Sequence, residues 1–476
     1  MSNNLSLITD IAMYLKKIVL KNIKCFHELT LDFTKNEKIS LWTVLLGQNG
    51  LGKSTLLQAM GVVLAGPDAM RELLPVAEGW VSEGKAYGEI EAELIWTEGD
   101  ARQSKQSKKD SPYLVRYVVT GDDPKRLPET LSKYHTVPTI TPWAGNGDKK
   151  ERSSVTKDMN GLNKTAYAED QSGWLGCGYG PFRRLSGGAR DADQILSGRR
   201  KSARFVTLFR EDAALTNAKS WLIELYNRAR DGESLQQRAL EQVKAVFADN
   251  LFPQPTTLHI NARDAWLQIG AKAPVRFQDL SDGYRSMLAL TIDLLRWLIA
   301  AFPDEENHKN CPGVVLIDEL DAHAHPKWQH QMGKGLRQKF PKIQFIIATH
   351  SPFLAQVAEN PEDNVVLEEQ GTTGVCSRTD VEAVYTWRVD QILTELFDLS
   401  TTYNPEVEKQ LKRLQQLYQV RQERPLSKSE EEEYQHLTSW RMNNIPPAIE
   451  EPGLRRIAQV LQQSVEKHSA ELKKLS

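Results

Sequence analysis

Leu41-Trp-Thr-Val-Leu-Leu-Gly47-Gln48-Asn49-Gly50-Leu51-Gly52-Lys53-Ser54-Thr55 joins an apolar run to a glycine-rich loop and then to residues that read as a helix to about Ala65. The apolar run is short and halted by glycine, which suits a buried strand of a parallel sheet. The loop fits G-x-x-x-x-G-K-[ST], a phosphate-binding pattern. Its glycines let backbone N–H groups close around phosphate oxygens, and the positive end of the following helix adds to that field. Asn49, Gly50, Gly52, Lys53, Ser54 and Thr55 are therefore candidate nucleotide contacts. Lys53 would reach the β and γ phosphates of ATP, and Ser54 would ligate Mg2+. A glycine-rich turn before any helix is the bland alternative. The strand–loop–helix placement argues against it. Gly66-Pro67 should stop the helix.

Outward from this loop, apolar strands and helices alternate. Tyr14–Ile23 and Leu29–Phe33 suit an antiparallel strand pair, and 88–96 and 113–119 read as two more strands. A helix is predicted over 283–302, a strand over 313–318, a helix over 326–338 and a strand over 343–348. Such alternation implies an α/β fold with a covered, mostly parallel sheet. Val314-Val-Leu-Ile-Asp318-Glu319 is an apolar strand ending in two carboxylates. It would deliver Asp318 to the magnesium, with Glu319 as the base that polarises an attacking water. Leu280-Ser281-Asp282-Gly283-Tyr284-Arg285 opens a long helix, and a serine N-cap with a nearby glycine makes a second anion-binding start. His323 and His325 form an H-x-H pair, but no third ligand accompanies them, so a zinc site is not expected.

Taken in order, these motifs resemble the ABC-type ATPases of the RecF, SMC and OLD group, over roughly residues 13–370. The resemblance implies an ATPase head of mostly parallel sheet with flanking helices and an antiparallel lobe. It further implies that Ser281 and Gly283 act as a signature motif closing on ATP held by another subunit. His350, in Phe345-Ile-Ile-Ala-Thr-His-Ser-Pro, would be a switch histidine sensing the γ-phosphate, and Asp321–His325 the D-loop. DELDAHAHPKWQ followed by ATHSPFLAQ is similar to the defence-linked branch of that group. Gly178-Tyr-Gly-Pro-Phe-Arg183-Arg184 is similar to that branch's element near the Q-loop, with Gln171 and Gln194 both open for the glutamine. The tail Trp387-Arg-Val-Asp-Gln-Ile-Leu-Thr-Glu-Leu-Phe resembles the ATPase subunit of Septu and related retron anti-phage systems. In Septu that subunit partners an HNH nuclease.

Composition bounds the rest. With 476 residues the chain is too long for one ordinary domain. Lysine and arginine total 60 against 62 acidic residues, a net charge of −2, which argues against a wholly basic binder but permits a local basic patch. One candidate patch holds Arg183, Arg184, Arg190, Arg199, Arg200, Lys201, Arg204 and Arg210. It suits a nucleic-acid backbone, a solvated face or bound nucleotide equally. No apolar run reaches membrane-spanning length, and the start lacks a secretory pattern. Cys25, Cys177, Cys311 and Cys376 show no C-x-x-C pairing, which suits a reducing cytoplasm. Segment 98–172 is polar and reads as an insertion or lid, and about 205–250 as a helical lobe without heptads. Residues 380–476 read as a helical C-terminal region. Val389, Leu393, Leu396 and Phe397 within it would offer an apolar face to a partner nuclease or pack on the chain's own ATPase core.

The sequence supports three functions. The leading one is an ATP-hydrolysing switch that forms a homodimer or higher homo-oligomer and regulates a nuclease in antiviral defence. A RecF-like DNA-repair ATPase and an OLD-type self-contained nuclease are the alternatives. Fold analogy alone does not choose among them.

Overall fold

Every residue of the strands Trp42–Leu46, Gly313–Asp318 and Ile343–Ala348 is buried, as a parallel sheet covered on both faces requires. A computed structural model describes residues 13–96, 112–121, 123, 127, 131, 137–169, 172–183, 201–213, 215, 217–248, 251–371, 374–379, 384–399 and 402–445. Its main sheet runs Val375–Arg378, Asn364–Glu369, Trp42–Leu46, Ile343–Ala348, Gly313–Asp318, Gly176–Tyr179. Pairing is parallel throughout except at the Val375–Arg378 edge. The helix Lys53–Ala65 is buried almost all round against this sheet, as befits a helix apolar on every face. It ends at Gly66, whose φ is +82°, but Pro67 then starts a second helix, Pro67–Leu73. Proline at a first helical position loses no hydrogen bond, so the expected stop is a change of axis.

A second sheet is antiparallel, in the order Phe26–Asp32, Met13–Ile23, Tyr87–Trp96, Tyr113–Thr120, Ile140–Pro142. Buried Gln344 clamps it to the main sheet. Its Oε1 accepts from the Leu15 N–H at 2.9 Å, and its Nε2 donates to the Leu15 carbonyl at 2.9 Å. A buried amide with both ends satisfied adds specificity without an orphaned polar group.

The expectation of a polar insertion over 98–172 needs correction. Residues 97–111 lie outside the described ones. Ile140–Pro142, however, extends the antiparallel sheet, and the helix Lys149–Asn163 packs on Tyr113–Thr120. That helix turns only Val155, Met159 and Leu162 inward. A stripe this narrow seats a helix while leaving its overall composition polar. Arg116 adds bonds to Glu91 Oε2 at 2.7 Å and Glu151 Oε1 at 3.1 Å. The helical lobe comprises Asn217–Arg230 and Ser234–Ala248, broken at Asp231-Gly232 where Gly232 has φ +97°.

The chain divides into units 1–398 and 399–476. The apolar residues before the boundary serve the first unit. Ile392, Leu396 and Phe397 are buried in its core, and Val389 and Leu393 are half-buried. The free docking face expected of Val389, Leu393, Leu396 and Phe397 is thus largely covered by the chain's own ATPase-like unit. Helical spacing alone does not say which surface an apolar stripe meets. The described part of the second unit is a helix hairpin, Pro405–Glu423 and Lys428–Asn444. Leu414, Leu417 and Leu437 lie inside it, and Arg413–Glu433 and Arg424–Glu430 pair along it. No described helix is long and apolar enough to cross a membrane.

Candidate functional site

Parallel strands bring the segments beyond their C-terminal ends to one edge of the sheet. Here four neighbouring strands deliver the glycine-rich loop after Leu46, His350 after Ala348, Glu319 after Asp318, and Arg183 after Tyr179.

Gly47, Gly50 and Gly52 have φ of +140°, +85° and +83°, a region that side chains disfavour. A Cβ on Gly52 would also lie 2.5 Å from Cys25 Sγ and 2.7 Å from Phe26 Cζ, so the antiparallel sheet forms the floor of the loop. A Cβ on Gly50 would meet nothing within 4 Å. Asn49 and Gly50 are exposed, and Thr55 is buried. Lys53 Nζ donates to the carbonyls of Gly47 at 2.8 Å and Gln48 at 2.9 Å. Burial pushes the Lys53 ammonium down to about 8, opposed by Asp318, Glu319 and Asp321.

Asp318 is 5% exposed. Burial pushes its carboxyl up, and a hydrogen bond from the Ser54 hydroxyl opposes that shift. This hydroxyl and carboxylate fit magnesium, which takes one or two protein oxygens and completes its shell with water and phosphate. Glu319 is exposed and has φ +47°, a left-handed conformation costing about 1–2 kcal/mol. Buried Thr349 donates to Asp321 Oδ1. Half-buried His350 is held below its usual pKa by desolvation and by the Lys53 charge, against Asp321 and Glu319. Lys53, Ser54, Asp318, Glu319, Asp321 and His350 therefore form one electrostatic cluster.

Ser281 and Gly283 lie elsewhere in the chain's contacts. Ser281 is exposed, and its hydroxyl caps nothing on the helix Asp282–Ala301. Gly283 is buried, with its missing Cβ 2.6 Å from the His323 carbonyl oxygen. His325 Nδ1 accepts from the Lys327 N–H at 3.2 Å and caps the next helix.

The described part of the basic stretch is largely spent inside the molecule. Arg184, Arg190, Arg199 and Arg200 lie outside the described residues, as do Gln171 and Gln194. Arg183, Lys201 and Arg204 are buried. Lys201 Nζ donates to the Ala166 carbonyl at 2.6 Å, Arg204 to the Trp174 carbonyl at 3.1 Å, and Arg210 pairs with Asp212 at 2.7 Å. None of these four offers its charge freely to a nucleic-acid backbone. Sequence reasoning put Arg183 in an element near the Q-loop and in a basic patch, but missed its bonds to the Asp318 and Glu319 carbonyls. The nearest signal was its position directly after a glycine-rich strand, where close backbone approach leaves carbonyls to be satisfied.

A family described as "AAA domain, putative AbiEii toxin, Type IV TA system" matches residues 179–356, and one described as "AAA domain" matches 17–245. Septu protein PtuA of Bacillus mycoides (strain KBAB4) is 25% identical over 359 residues, covering 75% of this chain and 41% of that protein. The retron Vc95 probable ATPase of Vibrio cholerae is 32% identical over 145 residues, covering 30% of this chain and 28% of its own. The chain spans less than half the length of either relative. Among solved structures, an Smc head bound to the C-winged helix domain of ScpA aligns over 77% of this chain and 98% of that one. Its TM-score is 0.46 and its identity 16%.

Proposed function

We propose, from the kinship of this chain with Septu and retron ATPases, that it is an ATP-binding and hydrolysing switch. It dimerises head-to-head and regulates a partner nuclease in anti-phage defence. One observation carries the reading: Lys53, the Ser54–Asp318 pair, Glu319 and His350 converge on one edge of the sheet. The backbone of Asn49–Gly52 and the helix start at Lys53–Thr55 receive the phosphates. Lys53 exchanges its two loop carbonyls for phosphate oxygens. Ser54 and Asp318 hold magnesium, which when bound neutralises charge on the β and γ phosphates. Glu319 takes the proton of the attacking water, and His350 hydrogen-bonds near the γ-phosphate. Ser281 and Gly283 close on ATP held by the other copy, making two equivalent sites about a two-fold axis.

The output is residues 399–476 and an HNH-type nuclease of the kind the Septu resemblance implies. The first unit ends beside the candidate nucleotide site. The Phe397 ring lies 6.5 Å from that of His350, and Gln48 Nε2 donates to Asp398 Oδ2 at 3.4 Å. Nucleotide state biases a partner only through contacts that differ between states.

Purified wild type should release phosphate from ATP with magnesium. Glu319→Gln should still bind ATP but turn over on the order of 10²–10⁴-fold more slowly. Hydrolysis by Glu319→Gln at the wild-type rate would overturn the assignment. For the output, deletion after Asp398 should leave hydrolysis intact and abolish nuclease co-purification. Metal-dependent DNA cleavage by the single purified chain would contradict it.

A further inference from the structure

Arg183 is 3% exposed, and its guanidinium makes four hydrogen bonds to described residues, all to neutral oxygens. Nη1 donates to the carbonyls of Gly180 and Asp318, both at 2.7 Å, and Nη2 to the carbonyl of Glu319 at 2.8 Å. Nε donates to Ser286 Oγ at 3.1 Å. A buried cation spent on uncharged acceptors is a costly way to hold a fold together. The carboxylates of Asp318, Asp321 and Glu319 offset part of that cost, and burial lowers the guanidinium only to about 10, so it keeps its charge.

The placement is specific. One planar fork grips two consecutive carbonyls, and the second belongs to Glu319, whose left-handed φ of +47° aims its side chain. The same fork reaches the helix Asp282–Ala301 through Ser286. The strand preceding Arg183 holds that helix a second time. Tyr179 OH donates to Asp293 Oδ2 at 3.1 Å, and Trp297 Nε1 donates to the same oxygen at 3.0 Å.

We propose that Arg183 is a positioning residue: it fixes the backbone of Asp318-Glu319 so that the Glu319 carboxylate faces the attacking water, and links that geometry to the helix beginning at Ser281. The inference rests on the hydrolytic reading of Glu319. A shift of that helix start on meeting a partner's nucleotide then reaches Glu319 through one side chain.

The test is a cycle in the full-length chain: wild type, Arg183→Met, Glu319→Gln and the double variant, with Arg183→Lys alongside. Turnover is measured together with the Kd of a fluorescent ATP analogue. Arg183→Met should lower kcat on the order of 10²-fold, the cost of misplacing a reacting group by about 1 Å. The analogue's Kd should change by less than about twofold, as for a site energetically independent of binding. Arg183→Lys should restore part of the rate, because it keeps the charge and part of the fork. In the Glu319→Gln background Arg183→Met should change the residual rate by less than about twofold, since no carboxylate remains to be aimed. Equal losses in both backgrounds, or parallel losses of Kd and kcat, would mean that Arg183 only supports the fold. If Arg183→Met does not fold, Arg183→Lys runs through the same cycle. An inactive wild type sinks the hydrolytic reading. An active wild type with a slow Glu319→Gln and an unaffected Arg183→Met sinks only this inference.

Discussion

The helices Lys53–Ala65 and Asp282–Ala301 both begin with residues suited to an anion, and they begin in opposite surroundings. Gly52 starts the first in a left-handed conformation, floored by Cys25 and Phe26, with Lys53 beneath the loop and three carboxylates around it. Ser281 starts the second exposed, and its hydroxyl bonds to no backbone N–H of its helix. Behind the exposed cap the packing is close. Gly283 abuts the His323 carbonyl, and the Tyr284 ring lies 5.2 Å from Phe252 and 4.8 Å from Trp328. On the proposed reading, the first start supplies phosphate ligands, metal ligands and a base from one chain. The second is packed from behind and exposed at its cap, and an isolated helix end attracts an anion only weakly. On the proposed reading, two starts with the same local chemistry take their phosphates from different copies of the chain.

The largest expected effects separate the two starts. Lys53→Ala should weaken ATP binding roughly 10- to 100-fold, the loss of charge-assisted bonds. Ser281→Arg should bind ATP normally yet fail to turn it over. A mixture of the two variants should regain at most one working site per heterodimer. Full activity in a strictly monomeric preparation would leave the second start idle and erase the contrast.

A smaller effect tests the packing behind each start. Gly283→Ala gains helix propensity of about 1 kcal/mol. It also drives a methyl against a backbone carbonyl that cannot swing away, costing about 1–3 kcal/mol. The melting temperature should fall, so the sign of the change decides between propensity and packing. Gly50→Ala meets no neighbour. Its effect should appear mainly as weaker nucleotide binding, with about 1–2 kcal/mol of backbone strain. A Gly283→Ala protein that melts higher would show that the platform is loose.

Much of the first start was legible in the sequence, and little of what supports the second. Runs such as Val314–Ile317 announce buried strands because every position is apolar, and the carboxylates mark where they end. The loop glycines announce themselves because positive φ demands them. Arg183, Lys201 and Arg204 read as a patch for nucleic acid, solvent or nucleotide, because nothing local reveals the carbonyls that satisfy them in the interior. Lys149–Asn163 was hidden by its charged faces. Phe397 was visible as apolar, but its core neighbours and His350 come from residues far away in the chain. Periodicity reports that a face is buried and leaves open what buries it.

The smallest expected effect is one of protons, and it belongs to the first start alone, since Ser281 and Gly283 have none to exchange in this range. Lys53 is lowered from 10.5 to about 8 by burial, with Asp318, Glu319 and Asp321 opposing the shift and His350 nearby. His350, itself held below its usual value, has already lost its proton in this window. Between about 8 and 10.5 the unfolded chain binds the Lys53 proton more tightly than the folded one. The stability of the nucleotide-free protein should therefore rise with pH across that window through this group. ATP reverses the sign, because phosphate oxygens favour the ammonium and raise its pKa again. Binding at pH 8 should then take up roughly half a proton per site, falling to about a tenth at pH 7, and affinity should decline above pH 8. Titration calorimetry at pH 8 in two buffers of different ionisation heat measures this uptake directly. Lys53→Ala should abolish it. An uptake that persists in Lys53→Ala, or none in the wild type, would show that the lysine is not the group the nucleotide recharges.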